Sequence, residues 1–365
     1  MIEPKYILSN YIEPKKIITG EPACNGSLFN VNGTDIILAR ETNYTFRKNN
    51  KTVYPWPTDH SCFTNEILYS FSEKTGASKI GYLDYRGVNE NFKNNGLEDF
   101  RIVKWNDELH CTFTKVFIEY DNPQSEYLPI CHGIITDDLR LTDIMEIPTT
   151  NRVEKNWQPI ECRPSTYIYS YKPFTLYNFD THCFITDFDN NQDISYSGST
   201  PIIEYNDYNI GLIHKRNDEN KTYIHFFVIF DKSMKIIKIT DPFMFLGVNI
   251  EFCTSIVRNG DDLRIIFSVY DQLLYYIDID QYLFDKIIEN KLNDKYFCRY
   301  TYEKLFDFAV LNNNYKTAAC MATFSDVYRT VYKGIEMNRQ LDDVDIDQKN
   351  ILQDELINRY HELFK

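Results

Sequence analysis

Five times along this chain a short polar turn leads into an alternating apolar strand that ends on a charged or polar side chain. The copies read NGTDIILARETNY from Asn32, WNDELHCTFTKVF from Trp105, RPSTYIYSYKPF from Arg163, YNDYNIGLIHKR from Tyr205 and NGDDLRIIFSVYDQL from Asn259. Alternation of period two behind a turn, recurring roughly every 40 to 75 residues, is the signature of a radial array of small sheets. It predicts an all-β chain, a five-bladed β-propeller, with the repeated strands innermost and their ends converging on one axial pocket. Arg40, Lys115, Lys172, His214 and Asp271 stand at or near those ends, a lining suited to a polar, anionic ligand.

The chain has 365 residues, 43% of them hydrophobic, enough for a substantial core. Its 28 Tyr and 25 Phe against 3 Trp favour strands and supply flat faces for sugar rings, although coding bias also enriches Asn, Ile, Lys and Tyr. A net charge of -14 with no basic stripe argues against nucleic acid and against anionic membranes. No apolar stretch reaches spanning length, and the N-terminal residues lack the pattern of a leader, so membrane insertion is not expected and a cytoplasmic location is. The 9 cysteines are odd in number and scattered without a CxxC pair, which fits buried thiols better than disulfides.

Strand punctuation runs to about Asp280, so residues 1–280 are read as the propeller and 281–365 as a closing, helical extension. Within it, Leu352, Leu356, Tyr360 and Leu363 share one helical face, a weaker helical stretch covers 316–339, and the region around 281–295 could be helical too. Such a face docks onto its own domain or forms a homo-oligomer contact.

The chemistry concentrates around Glu98 and Asp99, followed by Arg101, at the start of a strand. A carboxylate beside an arginine is most often a structural ion pair. At the mouth of a blade it is also what cleavage of a glycosidic bond requires, an acid for the leaving sugar. Trp157 could pack on a pyranose face, and Lys172, Arg40 and His214 could gather phosphate oxygens. Two Asp-x-Asp triplets, at 187–189 and 278–280, leave open a metal-dependent nucleotide-sugar transferase, though no glycine-rich turn accompanies them. A propeller that binds a glycan without turning it over, or that serves as an interaction platform, is the other alternative.

The segment EDFRIVKWNDELHCTFT resembles the Glu-Asp-Pro-Arg motif and following strand of the five-bladed propeller mannoside phosphorylases and the related β-1,2-mannosyltransferases. Four further segments resemble that family in the same order: NGSLFNVNGTDIILARETNY, EKNWQPIECRPSTYIYSYKPF, GSTPIIEYNDYNIGLIHKR and EFCTSIVRNGDDLRIIFSVYDQLLYYIDI. The resemblance implies an inverting transfer of a mannosyl-like unit between a glycan and phosphate, or a sugar phosphate or nucleotide sugar, with Asp99 as the single general acid and no cofactor or metal. It places Lys155, Lys172 and His214 on the phosphate side. Arg40 and Asp271 hold the sugar, with Glu98, Arg101 and Trp157 beside it. Phe100 stands where the motif has proline, Gly26 replaces a proline, Asn156 follows Lys155 where some members carry Asp, and Lys172 stands where arginine is expected. A lysine holds phosphate as a point charge but lacks the bidentate fork.

Overall fold

The computed structural model describes residues 2–292 apart from 18, 20–21, 43–44, 47–51, 54–63, 86–95, 117–126, 150, 152, 191, 194, 218–221 and 249. The helices expected over 316–339 and around Leu352 to Leu363 lie outside those residues.

The described chain is almost entirely strand, arranged like a propeller in four four-stranded sheets, one seven-stranded sheet and a two-stranded ribbon. The first sheet is built from Cys24–Val31, Thr34–Thr42, Thr64–Ser72 and Gly76–Tyr82. The second comprises Leu97–Trp105, Glu108–Lys115, Ile130–Ile135 and Leu141–Glu146, and the third Gln158–Pro159, Thr166–Tyr171, Phe174–Asn178 and Cys183–Thr186. The fourth, seven-stranded sheet is centred on Tyr208–Asn217 and Thr222–Phe230, with Ser197–Gly198 at one edge. The fifth holds Glu251–Asn259, Asp262–Val269 and Leu273–Ile279, completed from the other end of the chain by Lys15–Ile17.

The repeated turns explain the pairing. Asn32 and Gly33 have φ of 50° and 81°, and Asn106 and Asp107 have 50° and 70°. Two consecutive residues of positive φ make the tight turn whose twist suits a hairpin, and Asn, Asp and Gly tolerate that backbone best. Each repeat is therefore the return strand of a hairpin. The strand in front of it forms the edge of its sheet, and Cys24–Val31, Leu97–Trp105 and Glu251–Asn259 pack against one another there. The repeated strands are thus second from the centre, not innermost as their periodicity suggests.

Alternation puts one side chain set of the inner strands into a core shared with a neighbouring sheet. Leu38 and Leu68 of the first sheet meet Phe100 and Phe113 of the second. Trp105 and Ile130 meet Tyr167 and Tyr177 of the third. Tyr171 and Phe174 meet Ile213 and Phe226 of the fourth, and Leu212 and Phe227 meet Ile265 and Phe267 of the fifth. The fifth returns to the first through Ile266 and Leu274 against Leu28 and Ile37. The succession of cores closes into a ring.

One helix, Gln281–Ile288, follows the last strand, where sequence placed helical character, and Asp280 caps it by accepting from the Leu283 N–H at 2.7 Å. Leu283, Phe284 and Ile287 bury against Tyr205 and Phe227, so the helix extends the core between the fourth and fifth sheets. Of the cysteines described, Cys24, Cys111, Cys131 and Cys253 are buried, Cys162 is half-buried and Cys183 is exposed.

Candidate functional site

A cavity of about 460 Å³ opens where the edge strands begin and the second strands end, lined by Asn25, Arg40, Glu98, Asp99, Lys155, Asn156, Ser195, Ser197, His214, Lys215, Arg216, Tyr223, Ile250, Phe252 and Asp271. That volume is in the range of small-molecule sites. Its floor is held in backbone conformations that few side chains adopt: φ is 48° at Asn25, 59° at Asp99, 67° at Asn156 and 55° at Asp271. All four are Asn or Asp, the non-glycine residues most at ease there. Left-handed residues gathered at one cavity are what a site built for geometry rather than for stability looks like.

Asp99 is the best-defined carboxyl. The Asn25 amide donates to its Oδ1 at 2.6 Å, and Asn25 is itself fixed by the Ser268 hydroxyl at 2.7 Å. Gly96, with φ of 89°, lets the segment approach the Thr64 carbonyl, which a Cβ would meet at 2.4 Å. The Thr64 hydroxyl then donates to the Leu97 carbonyl at 2.7 Å. Next to Asp99, Glu98 is engaged differently, accepting from the buried Arg40 guanidinium. Glu66 lies opposite Arg40 in register, and burial pushes its carboxyl well above the usual range.

Arg101 is wholly buried behind the cavity and touches no open space, so it holds the site rather than a sugar. Its Nε donates to the Ser199 carbonyl at 2.6 Å, Nη1 to the Asp99 carbonyl at 2.9 Å and Nη2 to Asn156 Oδ1 at 3.0 Å. One guanidinium thereby ties the second, third and fourth sheets together at the acid. Ser199 continues the chain through a 2.9 Å hydrogen bond with His214 Nδ1.

His214 joins the cavity, yet not as a cation. Burial, then the positive field of its neighbours, with His225 and Arg101 foremost, holds its imidazole well below the ordinary histidine range. His132 is lowered to about 4 and His225 to about 3, chiefly by burial. Each folded value lies below the unfolded one, so the stability each contributes is present at neutral pH and is lost as pH falls through 6.5 toward the folded value. In ¹H–¹⁵N spectra of the imidazoles, all three should show flat chemical shifts from pH 8 to pH 5. A midpoint near 6.5 for His214 would overturn its assignment as a neutral imidazole.

Four expected groups stand elsewhere. Strand Thr166–Tyr171 stops one residue short of Lys172, which falls in the turn and donates to the Asp193 carbonyl. Lys115 pairs with Glu146 at 2.7 Å. Second strands begin about 5 Å further from the centre than edge strands, so a side chain at their end reaches the cavity only when it points inward. Trp157 is wholly buried, its indole N–H on Glu154 at 3.1 Å and its ring edge-on to Tyr169 and Tyr177, and it offers no face to a ligand. The Asp-x-Asp triplets are structural: Asp187 accepts from the Asp189 N–H at 3.1 Å, Asp278 pairs with Arg264 at 2.7 Å, and Asp280 caps the helix.

In place of Trp157, Tyr223, Phe252 and the His214 ring form the aromatic wall of the cavity, their centroids 5.2 to 5.4 Å apart. Glu251 fixes the approach to this wall by accepting from the N–H groups of Phe245, Leu246 and Val248 at 2.6, 3.0 and 2.7 Å. Lys215 and Arg216 also line the cavity. Sequence reading stopped at His214, although strand Tyr208–Asn217 runs on and period two returns Arg216 to the face of His214.

No protein-family model matches the chain, and no curated protein matches it. Solved structures do. A β-1,2-mannobiose phosphorylase from Listeria innocua, in complex with β-1,2-mannobiose, is 12% identical, with a TM-score of 0.52 over 73% of this chain and 92% of that one. A glycosyl hydrolase from Bacteroides ovatus is 12% identical, with a TM-score of 0.51 over 77% and 94%. At that identity the likeness is one of fold.

Proposed function

We propose that the protein transfers a mannosyl-like hexosyl unit between a glycan and a phosphate-bearing partner, with inversion, on a five-bladed propeller spanning residues 1–280, in which the seven-stranded sheet is the fourth blade and 281–365 is a separate extension. The observation that carries this reading is the Asn25-held carboxyl of Asp99 sharing one cavity with Lys155, Lys215 and Arg216. Glu98 is committed to Arg40, so of the two adjacent carboxyls Asp99 is the one placed to exchange a proton. The ring of shared cores supports the blade count, and the solved structures of like fold support the sugar chemistry.

In the direction of cleavage, Asp99 gives its proton to the departing glycan oxygen, directly or through a sugar hydroxyl, while a phosphate oxygen attacks the anomeric carbon from the opposite face. The reverse direction uses the same carboxylate as base. Arg40 and Asp271 hold the glycosyl unit, Tyr223 and Phe252 cover its apolar face, and His214 donates one neutral hydrogen bond. Supplying mannose 1-phosphate with a panel of mannose-containing acceptors should release phosphate only when an acceptor is present. Silence with sugar phosphates and sugar nucleotides alike, together with measurable glycan binding, would replace the enzyme reading with a glycan-binding one.

A further inference from the structure

Each sheet of a radial array ends in an outer strand whose far side has no partner within its own sheet, and natural sheets guard such edges with charge, irregularity or cover. Four of the five large sheets do so. The outer strand Gly76–Tyr82 carries Lys79 and a register shift against Thr64–Ser72. Leu141–Glu146 carries Asp143 and Glu146 and a shift of its own. Lys15–Ile17 has two lysines, and the fourth sheet ends in Tyr6–Ile7, both buried. The third sheet is the exception. Its outer strand, Cys183–Thr186, has no charged residue and keeps four unbroken register pairs with Phe174–Asn178.

The backbone of that strand is open at two places. The Asp187 N–H donates to the Phe174 carbonyl at 2.9 Å, which makes these two residues a hydrogen-bonded pair. Antiparallel pairs alternate, so Ile185 and Cys183 bond inward to Leu176 and Asn178, and the N–H and C=O groups of Phe184 and Thr186 point away from the sheet. The side chains are open on both faces. Phe184 lies over Tyr177, Tyr169 and Trp157, with centroids 4.9, 5.0 and 6.1 Å away, yet stays 46% exposed, and Ile185 on the other face is 56% exposed. Phe188, 77% exposed, stands on a turn pinned by buried Asn190, whose amide donates to the Met234 carbonyl at 2.9 Å and whose Oδ1 accepts from the Ile236 N–H at 2.7 Å. An aromatic ring held out in water on an anchored turn is placed to grip a partner.

Charge narrows the choice of partner. Asp180 precedes the strand and Asp187 and Asp189 follow it, all exposed, with no lysine or arginine between them. A second copy of the chain, itself of net charge -14, would bring the same carboxylates to the seam. A segment with lysine or arginine at both ends meets opposite charge at both ends.

We propose that Cys183–Thr186 is a docking edge for an extended, apolar segment of another protein flanked by basic residues, which joins the third sheet as its fifth strand. Phe184 and Thr186 exchange backbone hydrogen bonds with it. Its side chains lie beside Phe184 on one face and Ile185 on the other, and its cations sit against Asp180 at one end and Asp187 and Asp189 at the other. The edge shares no residue with the cavity lining, so docking and the chemistry of the cavity are separate properties.

Calorimetric titration of the full chain with the heptapeptide KTVIVTK, blocked at both ends, tests this. Saturable binding is expected, and amide exchange at Phe184 and Thr186, fast in the free protein, should slow roughly tenfold on binding. The peptide ETVIVTE should bind roughly tenfold more weakly, and the order should reverse in the Asp180→Lys/Asp189→Lys variant. Ile185→Lys places a charge on an exposed edge position, and should remove binding of KTVIVTK without moving the thermal midpoint. Absence of binding, equal binding of the two peptides, or binding untouched in Ile185→Lys overturns the proposal. So does slow exchange at Phe184 and Thr186 in the free chain, which would mean that the edge is already covered. Sedimentation would then assign the cover to a second copy if the mass doubles, and to another segment of the same chain if it does not.

Discussion

Asp99→Asn should lower acceptor-dependent transfer by ~10²–10⁴-fold, the span expected when a positioned acid–base group is lost. The substitution is close to ideal for separating chemistry from structure. Asparagine accepts the 59° φ of this position as readily as aspartate does, and its side-chain oxygen can still accept from the Asn25 amide. It cannot give up or take the proton. Glycan affinity, read by calorimetry, should stay within a few-fold of the wild type and the thermal midpoint within a degree or two. Transfer reduced by less than threefold would move the proton to another group, with Asp271 the next carboxyl on the lining.

Arg101→Met should be the most damaging single change to the fold. Burial leaves no water to replace the guanidinium, and three acceptors lose their donor at once: the carbonyls of Ser199 and Asp99 and the Asn156 side chain. Unpaired buried polar groups cost about 1–3 kcal/mol each, so a loss of about 3–5 kcal/mol is expected, read as a lower urea midpoint. Arg101→Lys keeps the charge but reaches at most one of the three acceptors, and should fall between the two. Since this group holds the Asp99 backbone carbonyl and the Asn156 side chain, activity should fall in the lysine variant even at temperatures where it stays folded. A methionine variant as stable as the wild type would show that the network contributes little.

Much of this molecule was legible in its sequence, and the misses have physical causes. The five turn-plus-strand copies reported sheets, but a hairpin hides which of its strands faces the centre, because both alternate and only the turn is conspicuous. That misplacement carried through to Lys115, the end residue of a strand one position too far out, and to Lys172, which falls in the turn just past such a strand. Asp99, Glu98, Arg40, Lys155, His214 and Asp271 reach one cavity because each lies at the start of an edge strand, just before one, or on an inward-pointing end. Trp157 was misjudged because nothing local shows that Glu154, three residues earlier, takes its N–H into the core. Tyr223 and Phe252 were missed for a different reason: an aromatic in a strand is usually core, and only the assembled ring of sheets reveals which ones face the opening.

The pairing of Lys15–Ile17 with Leu274–Tyr276 has a consequence for how the molecule is made. Made before the other strands of its own sheet, it waits for a partner about 260 residues away in sequence. At a synthesis rate of roughly 5–20 residues per second, that wait is on the order of ten seconds or more. During it the two Lys of this short strand keep a β-edge charged and poor at pairing with strangers. When the last sheet emerges, the waiting segment latches it, joining start to finish of the described ring, so removal of residues 1–17 should open the circle at its final seam rather than merely shorten a terminus.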